Sequence, residues 1–265
     1  MIRILTGSLI VASLLLMGGC KTAKSPQSSD NGLATVNLKK FKKNSDGAYV
    51  IFDGTSMDGW RGYNRADLPN KWSIEDGSIK FSRKPTGITN PEGGDIIFAH
   101  KFKNFELSFE WKISEAGNSG VFYLAQEIPG KPIYISAPEF QILDNEGHPD
   151  AKQGVDGNRK SASLYDMIPA KPQNGKPHGQ WNTSKIVVKD GKIEHYQNGV
   201  KVVEYTVWND AWTQLLETSK FSSTKWPEAF ELLNNLGGAD KSGYIGLQDH
   251  GDDVWYRNIT VKVLK

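Results

Sequence analysis

The stretch Phe105-Glu-Leu-Ser-Phe-Glu-Trp-Lys-Ile113 decides the fold, because every odd position is apolar and every even position polar. Successive side chains of a strand point to opposite faces, so a period of two describes a strand with one buried face and one wet face. Segments 49–52, 72–74, 78–81, 95–100, 120–126, 134–143, 163–168, 184–188, 192–197, 200–205, 243–250 and 254–264 read as further strands. Between them, Asp76-Gly77, Asp190-Gly191 and Asn198-Gly199 supply the positive φ that tight hairpins need. Many short strands with Gly-rich turns and few helices predict an all-β chain, an antiparallel β-sandwich of jelly-roll type. The exception is 209–236, where Trp212, Leu215, Leu216, Phe230, Leu232 and Leu233 fall at helical spacing around Pro227. This predicts a short helical insertion that packs against a sheet edge rather than acting as a lid.

The N-terminus carries a different signal. Arg3 is followed by the apolar run Leu-Ile-Val-Ala-Ser-Leu-Leu-Leu-Met over residues 9–17 and then by Gly18-Gly19-Cys20. The run is too short to span a bilayer, and small residues before a cysteine look like a lipobox. Residues 1–19 are therefore expected to be a lipoprotein signal peptide, with Cys20 lipidated and joined to a membrane. Cys20 is the only cysteine, so no disulfide framework is expected. The polar segment 20–38 reads as a flexible tether and 39–265 as one domain. Lys21-Thr22-Ala23-Lys24 lacks an acidic run, which favours the periplasmic face of the envelope over the cell surface. The balance of 32 Lys+Arg against 30 Asp+Glu includes no basic block, so nucleic acid is not an expected partner.

The densest polar cluster is Pro138-Glu-Phe-Gln-Ile-Leu-Asp-Asn-Glu-Gly-His-Pro-Asp150. With Phe140 and Ile142 in the core, Glu139 and Gln141 project together from the opposite face, and Asp144 and His148 fall at the strand end and in the loop beyond. In Gly246-Leu-Gln-Asp-His-Gly251, Gln248 and His250 share the outward face if Ile245 and Leu247 are buried. Solvated strand faces favour Lys, Thr and Glu, whereas Gln, His and flanking glycines suit ligand approach. His195 shares parity with Ile193 and reads as a hydrogen-bonded core histidine. There is no His-Glu-x-x-His, paired-Cys or EF-hand spacing, no Gly-x-Ser-x-Gly elbow and no phosphate loop. No cofactor is assigned, although the acidic loop 144–156 could take a divalent cation such as calcium.

The chain resembles the 3-keto-disaccharide hydrolases, a family common in lipoproteins of gut Bacteroidetes. The likeness spans the whole mature domain. It rests on Phe52-Asp-Gly-Thr-Ser-Met-Asp-Gly-Trp60, Gly117-Asn-Ser-Gly-Val-Phe122, Glu139-Phe-Gln-Ile-Leu-Asp144, Trp181-Asn182, His195 with Asn198-Gly199, and Gly246-Leu-Gln-Asp-His-Gly251 leading to Tyr256-Arg-Asn-Ile259. Tyr256 stands where the family often has Phe. The resemblance implies a concanavalin A-like jelly roll whose concave sheet binds carbohydrate, and cleavage of glycosides oxidised at C3. A C3 ketone acidifies the C2 proton, so a base can form an enolate, the C1 substituent leaves by elimination, and water adds back. That chemistry needs a base, donors for the enolate oxygen and an acid. Glu139 or His250 is the expected base, Gln141 and Gln248 the donors, and Asp144 or His148 the acid or its orienter. Arg65, Tyr123, Trp181 and His178 complete the expected substrate-binding set. A metal acting as Lewis acid would instead make His and Glu its ligands. Two alternatives stay open: a concanavalin A-like endo-glucanase with paired carboxylates, for which Gln141 and Leu143 leave the second carboxylate missing, and a non-catalytic carbohydrate-binding lipoprotein.

Overall fold

Residues 32–265 are described by the computed structural model. The stretch read as a lipoprotein signal and Cys20 lie outside them. Of the stretch read as a tether, residues 34–38 are docked on the domain: Val36 N–H donates to Ala99 O at 2.8 Å, Arg61 Nε donates to Ala34 O at 3.1 Å, and Leu38 joins the core.

In chain order the strands are β1 (Tyr49–Phe52), β2 (Trp60–Gly62), β3 (Trp72–Glu75), β4 (Ser78–Phe81), β5 (Ile96–Phe102), β6 (Phe105–Ile113) and β7 (Asn118–Ala125). They continue with β8 (Glu139–Leu143), β9 (Asn182–Lys189), β10 (Lys192–Gln197), β11 (Val200–Thr206), β12 (Gly243–Leu247) and β13 (Val254–Val263). An eight-stranded sheet runs β11-β10-β9-β6-β13-β4-β3 with β1 also on β13, and a five-stranded sheet runs β2-β5-β12-β7-β8. All the pairings are antiparallel.

The alternation that opened the sequence reading is the burial of β6: its odd residues are buried and its even ones half-buried. Phe109 of β6 meets Phe140 of β8 edge-on at 5.6 Å, which joins the two sheets across the core. Both residues of each hairpin pair have positive φ, at 48° and 70° for Asp76-Gly77, 49° and 85° for Asp190-Gly191, and 49° and 80° for Asn198-Gly199. These are the angles of a two-residue turn whose twist matches its strands.

Three expectations are corrected. Strand β2 has no counterpart in the reading, because three residues are too few to show a period. Segment 134–143 is a strand only from Glu139; Ile133–Ile135 is a 3-10 turn, and Pro138 has no N–H to add to a ladder. Segment 163–168 is a folded-back loop, in which Leu164 and Ile168 exchange backbone hydrogen bonds and Asp166 takes φ 61°.

The helical insertion forms as α1 (Asp210–Thr218) and α2 (Pro227–Asn234). Asn209 Oδ1 accepts from Trp212 N–H at 2.8 Å, and Pro227 occupies the first turn of α2. Trp212, Leu216 and Leu233 are buried, with the Trp212 ring stacked on Tyr205 at 5.6 Å, so the insertion packs as expected. The segment between the helices also carries Lys220.

Candidate active site

The five-stranded sheet is buried on both faces. Val121, Tyr123, Phe140, Ile142, Ile245 and Leu247 face the inter-sheet core, as parity requires. On the outer face, pairing sets residues in rows across the strands. Ile97, Gly246, Phe122 and Glu139 form one row. Gln248, Gly120 and Gln141 form the next, because Gln248 N–H donates to Gly120 O at 2.9 Å and Gly120 pairs with Gln141. Beyond it, Asn118 Nδ2 lies 3.3 Å from His250 Nε2. The Ile133–Ile135 turn covers the apolar part of this face, where Ile97, Phe122 and Tyr244 cluster with Ile133 and Ala137. The polar rows form the site.

Gly120 sits at its centre. A methyl group there would stand within 2.8 Å of Glu139 Cγ and Cδ, so the missing side chain is the space in which the carboxyl lies. Gly120→Ala is therefore expected to displace Glu139 and lower kcat about 10²-fold, the usual scale for a 1 Å misplacement. Its φ is not in the left-handed region, so thermal unfolding should move little; unchanged turnover would show that Glu139 does not act from this position.

Glu139 is only 8% exposed, and burial pushes its carboxyl up to about 8, with Lys220 opposing the rise and Asp95 and Asp150 adding to it. The Gln248 amide donates toward the same carboxyl. Asp95, just before β5, is raised to about 7 by burial, although its Oδ1 accepts Asp249 N–H at 2.9 Å. A second carboxyl with altered proton affinity therefore faces the site, supplied by the strand two places from β7.

Three buried amide oxygens here have no hydrogen-bond partner: Asn118 Oδ1, Gln141 Oε1 and Gln248 Oε1. Gln141 Nε2 donates to Arg159 O at 3.3 Å, and turning the amide over would set its oxygen against that carbonyl. The glutamines thus offer acceptors to a ligand in addition to the amide hydrogens that the sequence reading assigned to them. Buried unpartnered acceptors are costly unless a ligand or water supplies hydrogens, and sugar hydroxyls would do so.

Loops wall the site. Asp144 is buried, with Oδ2 accepting Ala116 N–H at 2.8 Å and Oδ1 accepting Glu146 N–H at 3.3 Å, so it shapes the loop that carries His148. Arg159 donates to Asp150 Oδ1 at 2.8 Å and Asp166 Oδ1 at 2.6 Å, and Tyr165 Oη donates to Asp150 Oδ2 at 3.0 Å. His148, His250 and Asp252 place one ligand atom each within 4.8 Å of one another. Asn118 N–H donates to Asp252 Oδ2 at 3.1 Å, and desolvation holds His250 below the ordinary histidine pKa. His148 Nδ1 accepts Asp150 N–H at 3.1 Å, so its neutral ring carries the proton on Nε2. Metal-bound histidines usually donate their second ring N–H; His148 has the opposite polarity and suits proton donation better than cation binding.

Four expected binding residues are not brought to this cluster. Tyr123 is fully buried in the inter-sheet core, where its hydroxyl lies 2.7 Å from His195 Nε2 and 2.6 Å from Tyr205 Oη. Arg65 pairs with Asp67 at 2.6 Å and Glu92 at 2.9 Å. Trp181 lies on the outer face of the eight-stranded sheet with Arg257 3.9 Å above its ring. His178 is exposed on the loop whose Gly179 N–H caps Ile113 O at 2.8 Å. In their place stand Asp95, Asn118 and Lys220, of which only Asn118 lay in a motif visible in the sequence.

A glycine-floored polar trough on a jelly-roll sheet, with two carboxyls of raised pKa, defines a carbohydrate-active enzyme of the glycoside-cleaving kind. Residues 47–262 match the 3-keto-alpha-glucoside-1,2-lyase-like domain, and the chain belongs to that family. It is 60% identical over 241 residues to a 3-keto-disaccharide hydrolase of Bacteroides thetaiotaomicron, covering 87% of this chain and 83% of the relative. A crystal structure described as a glycosyl hydrolase, from Parabacteroides distasonis, superposes with a TM-score of 0.69 at 29% identity, over 83% of this chain and 95% of that one. A galectin-like protein of Bacillus subtilis shares the fold, with a TM-score of 0.50 at 13% identity over 83% and 97% of the two chains.

Proposed function

We propose that the enzyme acts on glycosides oxidised at C3, with Glu139 as the base that removes the C2 proton. The observation that carries this is the single buried carboxyl lying across Gly120, its proton affinity raised by burial and its surroundings lined by unpartnered acceptors. A carboxylate freed of water is a stronger base, and its pKa of about 8 sits close to a working pH near neutrality. Asn118, Gln141 and Gln248 would accept hydroxyl hydrogens of the bound sugar. The C2–H bond breaks toward Glu139 to give an enolate, whose electron pair then expels the C1 substituent as Asp95 gives its proton to the leaving oxygen. Water then adds across C1 and C2, its oxygen to C1 and a proton to C2. The name of the Bacteroides thetaiotaomicron relative supports this substrate class.

A second reading is favoured by one observation, the Asp95 carboxyl near Glu139: paired carboxyls also hydrolyse unmodified glycosides. One experiment separates them. With a glucoside and its 3-keto derivative in deuterated water, elimination releases the aglycone from the keto sugar alone and exchanges its C2 proton. Release from the unmodified glucoside without exchange would overturn the proposal in favour of paired-carboxyl hydrolysis, and binding without release would leave a lectin.

A further inference from the structure

An enolate needs more than a base. When the C2 proton leaves, negative charge gathers on the C3 oxygen, and the site must meet it with a donor already in place. Most donors around Glu139 already serve a protein acceptor with at least one hydrogen. Gln141 Nε2 is held by Arg159 O, the Gln248 amide turns to Glu139, and the Arg159 guanidinium is shared between Asp150 and Asp166. Tyr165 Oη is spent on Asp150, and His148 stands at the rim beside His250, with ring centroids 6.1 Å apart.

Lys220 is different. Its N–H donates to Asp166 Oδ2 at 3.2 Å, which fixes the inter-helix segment against the loop beside β8. Its Nζ lies 4.4 Å from the Tyr165 ring centroid and 4.9 Å from that of Phe221. Tyr165 N–H in turn donates to Glu139 O at 3.1 Å, so the ammonium is held on a ring joined directly to the strand that bears the base. Among the described residues no carboxylate comes within ion-pairing distance of it. Aromatic faces stabilise a cation without consuming its N–H groups.

We propose that Lys220 is a catalytic residue whose ammonium receives the C3 oxygen of the substrate and holds the enolate formed as Glu139 takes the C2 proton. The proposal rests on the elimination reading above. No covalent bond to the protein is made: the C2–H electron pair moves into the enolate, the proton goes to Glu139, and the ammonium keeps its hydrogens while donating one to the oxygen. Burial lowers the Lys220 pKa and the carboxyls around it, Glu139 first, oppose that, so the charge is sustained by the same group it assists. The helical insertion, expected to serve packing alone, thereby supplies part of the site.

The test uses the full chain and a 3-keto-glucoside. Lys220→Met is expected to lower kcat for C2 exchange and aglycone release together by about 10²–10³-fold, with KM nearly unchanged. It also removes the charge that lowers the Glu139 pKa, so the acid limb of the kcat/KM profile should move to higher pH. Lys220→Arg keeps the charge and should leave that limb in place while recovering at least part of the rate. Lys220→Met turning over within threefold of the parent, or an acid limb that does not move, would overturn the proposal. So would capture of substrate on Lys220 by borohydride during turnover, which would reveal an iminium. A parent enzyme that exchanges no C2 proton would bring down the elimination reading itself, and this proposal with it.

Discussion

Glu139→Gln is expected to lower kcat on a 3-keto-glucoside by about 10²–10⁴-fold, the usual scale for removing a general base, while leaving the fold intact. The amide keeps the volume that fills the space over Gly120, and it needs no proton to enter a dry site. A steady-state rate close to that of the parent would remove Glu139 from the chemistry. The same variant carries a stability signature whose sign follows from linkage. Burial raises Glu139 from its ordinary 4.5 to about 8 and Asp95 from 3.8 to about 7. The folded chain therefore keeps protons that the unfolded chain has already lost. Stability contributed by each group is full below its unfolded pKa and falls as pH rises through its folded one, by up to ~1.4 kcal/mol per pH unit for each group. Asp95 is half titrated at pH 7 and nearly done by pH 8, whereas Glu139 stays largely protonated over most of that interval, so the larger part of the fall between pH 7 and 8 belongs to Glu139. Urea unfolding at the two pH values should show that fall in the parent and a clearly smaller one, left by Asp95, in Glu139→Gln.

The second large effect is on stability and lies away from the trough. His195 is fully buried, and its Nδ1 stands 2.9 Å from Ala162 O, a carbonyl that can only accept. The proton is thus on Nδ1, Nε2 accepts from the Tyr123 hydroxyl, and Tyr123 accepts from Tyr205. Each polar atom of this chain has its partner, which makes the loss of one member costly. His195→Ala should destabilise the domain by about 3–5 kcal/mol, combining the vacated ring space with an orphaned Ala162 carbonyl. Burial also pulls His195 down to about 4 from 6.5, so it costs stability as pH falls through that interval. The variant should lose that part of the acid dependence. A loss under 1 kcal/mol, or an unchanged acid slope, would show that the network contributes little.

Strand β6 was legible to the residue because its alternation is a property of neighbouring positions, and so were the three hairpin turns. Segment 163–168 misled because Ser-Leu-Tyr-Asp-Met-Ile was read as a strand, while Asp166 within it and Ala162 just ahead of it take positive φ under contacts from Arg159 across the loop and from the remote His195. Parity placed Glu139 and Gln141 on one face correctly, and it placed Gln248 beside them. Parity equally puts Tyr123 in the inter-sheet core, away from that face, and the structure holds it there in the His195 network. Trp181 shows a further limit: an aromatic residue suited to a sugar ring is instead covered by Arg257 on the other sheet.

The amino-acid sequence by itself determined most of the strands, three of the tight turns that join them, the insertion and the face on which Glu139 lies, because each follows from backbone geometry over a few residues. Only the tertiary structure decided what that face can do. Asp95 and Lys220 act on the Glu139 carboxyl from segments distant in the chain, and the exclusion of water that raises its pKa exists only once the strands and loops are assembled. The protein partners of the Gln141 and Gln248 amides, Arg159 O and the Glu139 carboxyl, likewise come only with the fold. Proton affinity and hydrogen-bond polarity belong to surroundings, and surroundings are made by the fold.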